Sequence, residues 1–464
     1  MLTRSRLHLV LLGIASIAIV ACGPSATATP RPTASASPPG SSTGPAGSPS
    51  TPPSPAASTS GQVPKAWLLV GRAGQPRLEL VMAETGEVQE MTVPDGAPAD
   101  LWHRVVTATP DGSSTIVRDE IVQPGNGGPE LSLTGTWSLP TVGLDPLPVG
   151  RSLDGSTIVL VEPSDATPGR SRFAIVEHRQ KEAVQTSGDA PLQLARIVDL
   201  TGDFDYDALS PNGRILYVVQ HLDAAAGGHY QVRAIDVPTG VMREAVIVDK
   251  GDADAYMAGS PLAQLRRADG LVLTLYRGPD HPFIHALNSI EAWAICIDLP
   301  AASAAAGSEL SARADWGLSE TASGSSVYAV NASLGLAVEV DPRELAVRRS
   351  ASISMTASGP SIVLAKFGHG DVGPTGRRLV TSPDGAMLFA ASGTGLTAIR
   401  TQDLSAVRTI PLGPVEAVGI TPDGATVFAL TRDGTIAAVD AATGSVLGTV
   451  PGSGYDRLLA VAPW

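Results

Sequence analysis

Five histidines and two runs of aspartate are the side chains here whose types and spacing could do chemistry: His221, His229, His281, His285 and His369, then Asp203, Asp205 and Asp207, then Asp249, Asp252 and Asp254. Imidazole nitrogens and carboxylate oxygens are ligands for zinc, iron or calcium. The alternation Asp203-Phe204-Asp205-Tyr206-Asp207 would let carboxylates converge on one divalent cation. It departs from a calcium-binding EF-hand loop, with Ala208 where glycine belongs and Arg214 where the bidentate glutamate would sit. The competing reading is a solvated loop in which Asp207 caps the following turn. Of the two cysteines, Cys22 lies near the start and Cys296 stands alone in an apolar stretch, where it reads as a buried structural thiol. No Cys pair, HExxH, GxSxG, phosphate loop or dinucleotide fingerprint occurs, so no resident cofactor is expected beyond the candidate cation. A net charge of −13 argues against nucleic acid and against electrostatic docking on anionic lipid.

The elements that must position these side chains are short strands in a repeat, clearest at residues 416–450. Ala417-Val418-Gly419-Ile420 is an apolar strand, and Thr421-Pro422-Asp423-Gly424 has proline and glycine at the second and fourth positions of a type I turn. Strands at 426–430, 435–440 and 445–450 follow, separated by Arg432-Asp433-Gly434 and Ala441-Ala442-Thr443-Gly444. Four meandering strands in this length make one propeller blade, which must stack on neighbours to bury its faces. The pattern resembles the YVTN and WD40-like bacterial propeller repeats. That resemblance implies a fold; its signature residues are turn and packing residues, so it implies no chemistry.

The turn glycine recurs at Gly112, Gly155, Gly213, Gly270, Gly324, Gly385 and Gly424, each followed by an apolar run, which starts seven blades. Residues 66–93 hold three more strands, with Ala83-Glu84-Thr85-Gly86 standing where Ala441-Ala442-Thr443-Gly444 stands in the last repeat. They lack a first strand, and Leu458-Leu459-Ala460-Val461-Ala462 is a strand without a blade. Joining the two closes the ring and removes its exposed edges. The expectation is an all-β chain with a single eight-bladed propeller; seven is the alternative if the turn near Gly155 or Gly324 lies inside a larger blade. The alanine-rich stretch 299–314 is interrupted by glycine and serine and reads as a loop.

In a propeller, the connections between second and third strands and those leading to the next blade lie on one face. His221, His229, His281 and His285 are expected in the first kind of loop, and His369 with both aspartate runs in the second, so these side chains share a face near the channel mouth.

At the N-terminus, Arg4 and Arg6 precede an apolar run at 7–21 that is too short to span a membrane and reads as an export signal. Ile19-Val20-Ala21-Cys22 resembles a bacterial lipobox, which implies a Cys22 carrying palmitate-type acyl chains as the new first residue; an ordinary cleaved signal is the alternative. Residues 23–63 carry ten prolines and Arg31 as their one charge. They cannot build a core and read as an extended disordered tether, open to O-glycosylation. The expected organisation is therefore a signal at 1–21, lipidated cysteine and tether at 22–65, and propeller at 66–464, exported and anchored outside the cytoplasmic membrane, with the outer membrane also open. The function expected is a monomeric, non-catalytic scaffold of the cell envelope binding a protein or glycan. A propeller lactonase, lyase or quinoprotein-like enzyme is the alternative, and a structural component of a secretion or wall complex a third reading.

Overall fold

The computed structural model describes residues 62–73, 78–91, 104–112, 114–125, 128–140, 147–162, 169–178, 192–222, 228–247, 256–278, 280–300, 314–353 and 376–462. The expected signal, Cys22 and nearly all of the tether lie outside the described residues, as do 301–313 of the expected loop.

Eight antiparallel sheets follow one another along the described residues of the unit Ser58–Trp464. Numbered in chain order they are the first (67–91 with 455–461), second (104–140), third (147–201), fourth (203–258), fifth (260–298), sixth (316–352), seventh (379–410) and eighth (415–449). Six have four strands; the second has three, and the fourth gains the short strand Met257–Ala258 beside His229–Asp236. This all-β succession of small meandering sheets is consistent with a β-propeller.

The strand sequences explain the order within each sheet. Thr426–Thr431 and Val327–Asn331, second in their sheets, are buried along their whole length, as strands with apolar centres between two covered faces should be. Ala346–Ser352, outermost in the sixth sheet, alternates exposed and half-buried residues with a period of two, the mark of a strand wetted on one side. All seven turn glycines join the first strand of a sheet to its second at positive φ, from 60° at Gly112 to 83° at Gly270, where a Cβ would be strained. Gly155 and Gly324 thus each open a sheet of their own. The turn is fastened from inside. Thr421 Oγ1 donates to Asp423 at 2.6 Å and accepts the Thr426 N–H at 3.0 Å, and Ser382 does the same with Asp384 and Met387 at 2.6 and 2.9 Å.

Apolar clusters join the sheets in succession. One joins the second sheet to the third through Val117 and Leu160, and the next joins the third to the fourth through Phe173 and Leu216. Further clusters join fourth to fifth, fifth to sixth, sixth to seventh and seventh to eighth. The last joins the eighth to the first, through Phe428 and Leu68. The other face of the first sheet carries its own buried cluster of Trp67, Leu69, Leu78, Leu80 and Ala462. Each fully buried Phe, such as Phe389 or Phe428, contributes about 2–3 kcal/mol by removal from water.

The expected partner of the unmatched C-terminal strand is the one found. Tyr455–Val461 runs antiparallel to Trp67–Arg72, from Leu68 opposite Val461 to Arg72 opposite Tyr455, so one sheet holds strands from both ends of the described chain.

Candidate functional site

In an antiparallel pair the start of one strand lies beside the end of its partner. The beginning of each first strand and the end of each second strand therefore share one edge of the sheet, as Asp203 opposite His221 and Tyr455 opposite Arg72 show. Polar side chains gather there. In the fourth sheet Asp205 Oδ2 lies 2.8 Å from His221 Nε2, and in the eighth Arg432 Nε donates to Glu416 Oε1 at 2.7 Å. These two pairs occupy matching places: Asp205 and Glu416 stand eight residues before Gly213 and Gly424, and His221 and Arg432 eight after. In the first sheet Arg72 Nε donates to Glu79 at 2.6 Å, and its guanidinium lies 4.3 Å above the centre of the Tyr455 ring.

One charged row crosses three sheets. Arg378, just before the seventh sheet, places Nη2 2.5 Å from the Oδ1 of buried Asp315, at the start of the sixth, and Nη1 3.5 Å from Glu416 of the eighth, which also holds Arg432. Ser333 donates to the other Asp315 oxygen. The row is balanced, two carboxylates against two guanidinium groups. Nothing in single-residue types announces it, because Asp315 and Arg378 pair across 63 positions and Arg378 and Glu416 across 38; only the repeat-matched position of Glu416 and Asp205 would have pointed to it.

The side chains singled out from sequence do not all land where expected. His221 ends the second strand Ile215–His221 and His229 begins the third strand His229–Asp236, so both flank that connection as expected. The His229 ring sits 4.0 Å from half-exposed Tyr256, and His281, before Pro282–Asn288, reaches Asp298 at 2.9 Å. His285 is not in a loop. It lies inside Pro282–Asn288, opposite Thr274 and Cys296, and is buried, because Phe283, Ile284, Ala286 and Leu287 on either side make the segment a core strand. The Asp203–Asp207 run is also a strand, Asp203–Leu209, and not a blade-to-blade connection. Phe204 and Tyr206 are buried on one side, which sends Asp203 and Asp205 to the other, and a register shift between Tyr206 and Ala208 turns Asp207 into the contact between the fourth and fifth sheets. His369, Asp252, Asp254 and Asp249 lie outside the described residues. Among the described residues no three His, Cys, Asp or Glu side chains come together as a metal-binding group.

Asp207 is the perturbed group that the sequence conceals. It is 4% exposed, its Oδ1 accepts from Gln264 Nε2 at 3.1 Å, and its Oδ2 has no hydrogen-bond partner among the described residues. Burial pushes its carboxyl up to about 6, against the pull of Arg266 and Gln264. Gln264 also donates to Thr274 at 3.0 Å, and beside them Tyr230, Tyr276 and Phe283 stack at 5.0 and 5.3 Å. Burial drives the phenols of Tyr230 and Tyr276 well above their ordinary range. The arrangement is a sealed polar seam between two sheets. A half-buried Cys296 closes the row Gln264, Thr274, His285, Cys296 that crosses all four strands of the fifth sheet.

No family model matches the chain, and no curated protein matches it. Among solved structures, apo AztD from Citrobacter koseri aligns at 12% identity over 86% of this chain and 98% of that one with a TM-score of 0.48, and a second crystal structure of Citrobacter koseri AztD gives the same figures. Saccharomyces cerevisiae Sqt1 aligns at 11% identity over 86% and 90% with a TM-score of 0.43. Likeness at this level leaves the fold to rest on the chain's own strands.

Proposed function

We propose that residues 66–464 form an eight-bladed propeller whose ring closes through Tyr455–Val461, and that the edge where the first strands begin is its binding face for a protein or glycan. The chain would be held outside the cytoplasmic membrane by acylated Cys22 and a tether at 22–65. Seven apolar clusters joining eight sheets in a row, with a buried apolar face left on the first, support closure onto the second. The observation that carries the binding reading is the meeting, at that one edge, of polar side chains from several sheets: Asp205 with His221, Arg72 with Glu79, and Asp315, Arg378, Glu416 and Arg432 together. A rim of oriented, charge-paired side chains around a rigid scaffold is what selective recognition needs. The enzyme alternative would look first to Asp207, the group with the perturbed carboxyl. That side chain is shut between two sheets, so it offers a substrate no approach.

Two measurements test this reading. The full chain with His221, His229 and His281 replaced by alanine, compared with wild type for binding to purified envelope proteins and to a glycan array, should lose binding while melting unchanged; equal binding sinks the assigned face. Separately, Cys22→Ser should release the protein from the membrane fraction or leave it as uncleaved precursor, and normal processing with unchanged membrane retention would refute the anchor.

A further inference from the structure

We propose that Gly376-Arg377-Arg378 is a latch that holds the C-terminal strand Tyr455–Val461 in its sheet. That strand is last in the order of the first sheet: one edge pairs with Trp67–Arg72 and the other has no partner within the sheet. An open edge is a row of unmet N–H and C=O groups. Gly376 meets it, in a parallel bridge to Leu458. One residue on, the Arg377 carbonyl accepts the Val418 N–H at 2.7 Å from the first strand of the eighth sheet, and the Arg378 carbonyl accepts the Ala391 N–H at 2.8 Å within the seventh. Three consecutive residues thus tie together the seventh, eighth and first sheets by backbone alone.

Two features make the tie specific. A Cβ on Gly376 would lie 2.0 Å from the Leu458 carbonyl oxygen and 3.1 Å from the Ala417 Cβ, at φ 120°, so the close approach requires glycine. Arg378 pins the far end: besides its contacts with Asp315 and Glu416, its Nη1 donates to the Glu416 carbonyl at 3.2 Å. The C-terminal strand is then gripped from both edges, by the N-terminal strand on one and by a segment from the middle of the chain on the other. The latch is independent of what the polar edge binds.

Hydrogen exchange of the full chain tests it. Gly376→Val should speed exchange of the amides at 458–460 by about tenfold and open the bond after Arg457 to trypsin, while peptides from 215–221 keep their protection. Arg378→Met, which adds no bulk at the bridge, should raise exchange in the same C-terminal peptide by a smaller factor. A folded Gly376→Val chain with unchanged exchange at 458–460 overturns the proposal. If that variant fails to fold, Arg378→Met decides, and wild-type exchange there overturns it equally.

Discussion

Asp207 sets a pH dependence that the aspartates of the turns oppose. A carboxyl that binds its proton more tightly in the fold than in the open chain adds stability at low pH and gives it up as the pH rises. With a folded value of about 6 against 3.8, the contribution is whole below about pH 4 and gone above about pH 6. The gap corresponds to about 3 kcal/mol. Asp207→Asn should therefore raise the urea midpoint at pH 7.5 and flatten its change between pH 4 and 6; a variant no more stable than wild type at pH 7.5 would mean that the carboxylate is adequately solvated. The turn aspartates go the other way. Hydroxyl groups of Ser382, Thr421 and Thr431 hold Asp384, Asp423 and Asp433 below the usual carboxylate range, so their stabilisation is present at neutral pH and fades as the pH falls through the acid range. Thr421→Val should therefore weaken the fold at pH 7 and less so in acid, by equilibrium unfolding at both. The turn aspartates were legible because an Asp-Gly pair, preceded by proline at Asp384 and Asp423, carries its geometry with it. Asp207 was not, although the Phe204 and Tyr206 alternation around it has the period of a strand; the bulge that buries it depends on the partner strand.

At the scale of elements, the turn between third and fourth strands shows the same backbone under different side chains. Gly86, Gly240 and Gly444 have φ of 71° to 75° there, and Ala292, Leu345 and Leu404 stand in the same place at 58°, 50° and 57°. The glycine copies could be read from sequence, whereas the other three hide because packing overrides a local cost of about 1 kcal/mol. Ala292→Gly removes that cost and little contact, so it should stabilise the chain by up to about 1 kcal/mol, seen as a higher melting temperature; a lower one would show that the methyl matters more than the backbone. These turns also receive arginines from the preceding sheet. Arg196 Nη2 donates to the Pro238 carbonyl at 2.7 Å, Arg408 Nη2 to that of Ala442 at 2.6 Å, and Arg349 to those of Thr401 and Gln402. Removing one, as in Arg408→Met, should cost about 1 kcal/mol in unfolding free energy, and the losses of Arg196 and Arg408 should add because they serve different contacts.

For the whole molecule, deletion of 455–464 is the sharpest test of how the ends cooperate. It bares the edge of Trp67–Arg72 and strips Tyr455 and Leu458 from the cluster shared with the eighth sheet. The loss of several buried side chains rivals a total stability of about 5–15 kcal/mol, so the product should be insoluble. A soluble truncation melting like the full chain would show that the terminal strand is dispensable. The succession of sheets was readable from turn glycines and apolar runs, because local sterics and burial act within a few residues. The polar edge was not, since Asp315, Arg378, Glu416 and Arg432 meet only after separate sheets have stacked. The pairing of the two ends has a mechanical consequence as well. Residues 67 and 462 leave their strands at the same end of one ladder, with the Ala462 N–H on the Trp67 carbonyl at 2.7 Å. A force pulling those two points apart would open the ladder like a zipper, one hydrogen bond at a time. A force that drags residue 67 along the strand axis would instead load all the rungs together and meet far more resistance.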